Sequence, residues 1–139
     1  MKEKINELIP KAIDAITNAK IAENGVVEKE FKGYISSLGA SIIQAGLLPS
    51  LAFFQNSSGK NVDSSRVLNA ILMLINRNYT AGDKLITYVI NYCNPNLINQ
   101  THKISDINKE KLSLIEEEIM DAIIALKLAL RIYKIKGDE

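Results

Sequence analysis

The last third of the chain constrains the fold more than any other part. Ser105 can cap a helix that runs to about Lys136, about 30 residues and roughly 45 Å at 1.5 Å per residue. Two apolar stripes lie along it. The first holds Leu112, Ile115, Ile119, Ala122, Ile123, Leu126, Ala129, Leu130 and Tyr133; the second holds Ile124, Leu128, Ile132 and Ile135. A helix facing one core needs only one stripe, so the second implies either a central place in a bundle or contact with a partner subunit.

The rest of the chain supplies partners for such a helix. From Lys2 to Lys20 the apolar residues Ile5, Leu8, Ile9, Ala12, Ile13, Ile16 and Ala19 recur at helical spacing. Pro10 lacks the amide proton that a helix interior uses, so this helix is expected to begin near Leu8 or to bend. Asn24-Gly25 then marks a stop and a turn. A second helix reads from about Val26 to Ala45, with Gly46 placed for a left-handed stop. Leu47 opens a short apolar third helix with Pro49 in its first turn, ending at Asn56-Ser57-Ser58-Gly59. Asp63 or Ser64 can cap a fourth helix, and Thr80 to Asp83 resembles a capping box ahead of a fifth, which stops at Asn94-Pro95. Asn94 to His102 is polar and reads as a loop. No strand pattern competes, so the expected fold is all-α, a single domain over residues 1–139 with five to six bundled helices and a long C-terminal one.

Chemistry-bearing residues are scarce. The chain of 139 residues has one His, one Cys and no Trp, with no Gly-rich phosphate loop and no metal-spaced His pair. The lone Cys93 can form no intrachain disulfide, which fits a reducing cytoplasm, and it reads as a packed side chain. His102 in its polar loop reads as a surface imidazole. The N-terminal stretch alternates charge with apolar residues and lacks the apolar run of a secretory signal. The uncharged stretch from Gly33 to Gly59 is broken by Gly46 and Pro49, so no membrane span is expected. Glu116, Glu118 and Asp121 belong to the densest acidic cluster, which admits one enzymatic alternative, a small metal-dependent nuclease. A solvated helix face is the simpler account, because neighbouring helical residues diverge. No catalytic residue, metal or cofactor is assigned.

With 17 Lys and Arg against 16 Asp and Glu, the net charge of +1 leaves electrostatic recognition to local patches. Lys127, Arg131 and Lys134, at i, i+4 and i+7, would form a positive strip on the last helix, suited to a phosphate backbone. Ile124, Leu128 and Ile132 lie beside it and are the candidate partner interface.

The segment from Phe31 to Phe54 narrows these readings. Phe31-Lys32, Ile42-Ile43, Gly46-Leu47 and Leu51-Ala52-Phe53 occur in the order found in the small helical subunit of the type III-B CRISPR–Cas effector, the Cmr complex, which the chain resembles. Glu118 to Lys134 is likewise similar to that family's last helix, where a Lys and an Arg sit four apart before an aromatic residue. The chain departs from the family pattern at Gly39, often Pro, and at Ala45, usually Asn, and it lacks a Trp often found near Leu128.

The resemblance implies a non-catalytic structural subunit of an RNA-guided antiviral machine. Its copies would stack beside the backbone subunits, near the large subunit, and line the channel of guide–target RNA. Target cleavage would belong to the backbone subunit. Lys127, Arg131 and Lys134 are then the expected RNA contacts. A helical partner domain of some other assembly is the remaining alternative.

Overall fold

The computed structural model describes residues 2–55, 63–94 and 108–136. In chain order the elements are α1 (Lys2–Asn18), β1 (Ala22–Glu23), β2 (Val26–Glu28), α2 (Lys29–Ala45), α3 (Leu47–Gln55), α4 (Ser65–Ile75), α5 (Leu85–Cys93), α6 (Lys109–Ala129), a 3₁₀ turn (Leu130–Ile132) and β3 (Lys134–Lys136). Helices dominate, as expected for an all-α bundle.

The last helix is central. α6 packs against α1, α2, α4 and α5, most extensively against α1. Ile115, Ile119, Ala122, Ile123, Leu126, Ala129 and Leu130 of its first stripe are buried, and Leu112 and Tyr133 pack at the margin of the same core. Its N-terminus is capped by Asn108, whose Oδ1 accepts from the amides of Glu110 and Lys111 at 3.0 and 3.1 Å. Ser105, the expected cap, lies outside the described residues, as do His102 and the Asn56 to Gly59 stop.

Several local expectations need correction. α1 runs through Pro10, so of the two options left open there, a start near Leu8 is ruled out. Pro10 is exposed, so the missing hydrogen bond falls on the solvent side, where water can serve the freed carbonyl. α2 begins at Lys29, not Val26, because Val26–Glu28 forms a strand. At Thr80 the amide does donate to Asp83 Oδ2 at 3.0 Å, but helix α5 starts only at Leu85, so the pair closes a turn and caps no helix. Ahead of α4, Asp63 Oδ1 accepts from the Ser65 amide at 2.8 Å, while Ser64 Oγ donates to the Phe54 carbonyl.

The α2–α3 hairpin turns at Gly46, with φ 97° and ψ 163°, a region essentially restricted to glycine. Phe31, Ile35, Leu38, Ile42, Leu47, Leu51 and Phe54 face the core. The hydroxyls of Ser41 and the buried Ser50 meet at 2.6 Å and tie the two helices together. The hairpin is only half core, because Ile43 and Phe53, next to the buried Ile42 and Phe54, are 76% and 75% exposed.

A three-stranded sheet, ordered β1-β2-β3, was not expected. β1 and β2 pair antiparallel across Asn24-Gly25, where φ is 55° and 77°, the two positive values that a type I′ hairpin turn requires. β3 then adds parallel to β2, with Val26 opposite Lys134 and Glu28 opposite Lys136. Alternation puts Ala22 and Val27 in the core and turns Glu23, Lys134 and Lys136 outward.

α1 reaches this sheet through a tight stop. The amide of Lys20 bonds the Thr17 carbonyl and that of Ile21 bonds the Ile16 carbonyl, with Ile16 and Ile21 both buried. This is a Schellman motif, and its left-handed position, where glycine is usual, holds Lys20 at φ 61°. An L-residue there costs about 1–2 kcal/mol.

Candidate nucleic-acid interface

The three cations expected in one strip do not share a helix. α6 ends at Ala129, Leu130–Ile132 is a 3₁₀ turn, and Lys134 stands on β3. The chain leaves the helix because Tyr133 and Ile135 find better use outside it. The Tyr133 hydroxyl donates to the Ile13 carbonyl on α1 at 3.0 Å and lies 3.2 Å from Thr17 Oγ1, and Ile135 pairs with Val27. Lys127 and Arg131, one helical turn apart, remain together and exposed.

What joins Lys127 and Arg131 is Lys32, on α2. These three cations and Ser36, Leu130 and Tyr133 line a cleft of about 390 Å³, with Ile135 at its edge and no carboxylate among the described lining residues. Lys32 and Ser36 are four apart, so both project from one side of α2 toward α6. The pattern of α6 could not reveal Lys32, because the meeting of the two helices is a tertiary contact. Lys134 lines a different cleft, of about 620 Å³, on the outer face of the sheet, with Lys20, Arg66, Lys136, Glu23 and Glu28 among its walls.

The second apolar stripe is the more exposed one. Ile124 is 40% and Ile132 64% exposed, while Leu128 is half-buried. Ile135, which pairs with Val27, packs against the core instead.

The acidic cluster faces a lysine. Lys4 Nζ lies 3.9 Å from both Glu118 Oε1 and Asp121 Oδ2, in an open cleft of about 460 Å³ that Glu116, Tyr92 and Leu114 also line. Among the described residues no three His, Cys, Asp or Glu side chains are grouped to hold a metal ion, which corrects the nuclease alternative built on Glu116, Glu118 and Asp121. Burial pushes the Cys93 thiol up, against a smaller opposing effect of Lys111, so the thiol is kept protonated and is a poor nucleophile. Burial, then the nearby Glu118 carboxylate, likewise raises the Tyr88 hydroxyl above its ordinary value. Among the described residues no helix is long and apolar enough to cross a membrane.

No curated protein and no solved structure matches the chain. A family model does: the one described as CRISPR-associated protein (Cas_Cmr5) matches residues 6–128, from the first turns of α1 almost to the end of α6. That span takes in both helices of the α2–α3 hairpin and nearly all of the central helix, and it stops short of Arg131, Tyr133 and Lys134, the last part of the second segment that carries the resemblance. The chain belongs to the Cas_Cmr5 family of CRISPR-associated proteins.

Proposed function

We propose that this chain is a non-catalytic structural subunit of an RNA-guided type III-B effector, working in the cytoplasm in antiviral defence. Copies stack beside the backbone subunits, and the basic cleft between α2 and α6 meets the guide–target RNA backbone. The family match over residues 6–128 carries the reading. The cleft supports it, because Lys127 and Arg131 stand together with Lys32 along its walls. Ile124, Leu128 and Ile132, partly or largely exposed beside these cations, then face a neighbouring subunit.

A net charge of +1 means that one copy binds RNA weakly, and useful affinity comes from several copies aligned on one duplex. The test is an assembled effector carrying Lys127→Ala and Arg131→Ala, titrated with target RNA across salt concentrations. Each lost phosphate contact is expected to make the logarithmic salt slope shallower by roughly 0.7 to 0.9. An unchanged slope and affinity in an intact assembly would assign both residues to protein packing.

A further inference from the structure

We infer that the outer face of the small sheet is a second phosphate-binding site, built from Lys20, Arg66, Lys134 and Lys136 and separate from the α2–α6 cleft. Its ligand is the phosphate backbone of a polyanion. It rests on the RNA reading above for the identity of that polyanion, and on its own geometry for the site.

Four cations from three parts of the chain converge there, against Glu23 and Glu28. Glu28 and Lys136 offset each other, with Oε1 3.3 Å from Nζ, and the lining as a whole keeps a net positive charge. Lys134 and Lys136 point outward together because they are two apart on β3. Two of the four sit where local preference opposes them. Lys20 takes the left-handed position of the Schellman turn, where glycine would be unstrained. Arg66 stands in the first turn of α4, whose helix dipole favours an acid. The two are also coupled: Arg66 Nη1 donates to the Lys20 carbonyl at 2.9 Å, which fixes the guanidinium over the sheet before any ligand arrives. Backbone strain kept at Lys20, whose charged side chain lines this cleft, supports a binding role for the face.

Lys20 lets stability and binding be separated. The Arg66 bond goes to the Lys20 backbone, so Lys20→Gly keeps it, relieves the strain and removes only the charge. The full-length chain, wild type and variants, is titrated at low salt with a short oligoribonucleotide and with tripolyphosphate, and melted in parallel. Lys20→Gly should melt about 2–4 °C higher and yet bind the oligoribonucleotide more weakly. Its salt slope should be shallower by about 0.7, and by about twice that with Lys134→Gln added. Tripolyphosphate that raises the melting temperature of wild type but not of Lys20→Gly would assign the face to free polyphosphate; a response to the oligoribonucleotide alone would assign it to RNA. If Lys20→Gly and Lys134→Gln leave affinity and slope unchanged while Lys127→Ala with Arg131→Ala lowers them, the sheet face is no site and the cleft reading stands. If wild type binds neither probe at low salt, or neither pair of substitutions alters binding, the sheet face is no site, and the cleft reading is decided separately by the titration of the assembled effector.

Discussion

Helix α6 and the three-stranded sheet bury apolar residues by opposite means. α6 repeats its signal over 21 residues, so Ile115, Ile119, Ala122, Ile123 and Leu126 declare one face several times over. Each strand of the sheet has two or three residues, and a single alternation is indistinguishable from a helix margin. The helix is specified locally and then positioned. The sheet exists only because the bundle brings residues 134–136 beside residues 26–28, so its pairing is decided by packing.

If this contrast holds, damage to α6 should be global and damage to the sheet local. The largest effect is expected from Ile119→Ala, which empties a fully buried position where α6 crosses its neighbours. It should lose about 2–5 kcal/mol in denaturant unfolding, with one cooperative transition. A loss below 1 kcal/mol would mean that the centre of α6 can collapse around the gap, and the contrast would weaken.

Next is Tyr133→Phe, which removes the hydroxyl that donates to the Ile13 carbonyl and anchors β3 to α1. About 1 kcal/mol is expected, with amide exchange accelerated at residues 134–136 and unchanged in the middle of α6. Uniform acceleration across the chain would make the sheet part of the same cooperative unit as the helix.

The smallest change in stability belongs to Ile124→Glu with Ile132→Glu, both on the exposed stripe. The isolated chain should keep its helical circular dichroism and its stability to within about 0.5 kcal/mol. Incorporation into the assembly should be lost. An unfolded double variant would place the second stripe in the core and remove it from the interface.

Legibility in the sequence follows the same divide. The α2–α3 hairpin was readable from Gly46 and Pro49, and the central place of α6 was one of two options its surplus apolar stripe allowed. The hairpin turn of β1 and β2 was also written locally, as Asn24-Gly25 ahead of Val26-Val27, but the long helical patterns on both sides outweighed it. The basic strip was half readable: Lys127 and Arg131 stay neighbours because one helical turn joins them. Lys134 was misplaced because the pattern continued past Ala129, where the chain leaves the helix.

By itself, then, the sequence determined the all-helical character, the buried face of α6, the scarcity of catalytic groups and the family resemblance, all of which depend on residue type and short spacing. Only the tertiary structure decided which cations stand together. Lys32 joins Lys127 and Arg131 because α2 lies against α6, and Lys20 meets Arg66 because the stop of α1 lies against the start of α4. Such contacts carry no periodic signal along the chain, since they follow from how helices of given length and apolar face fill one core.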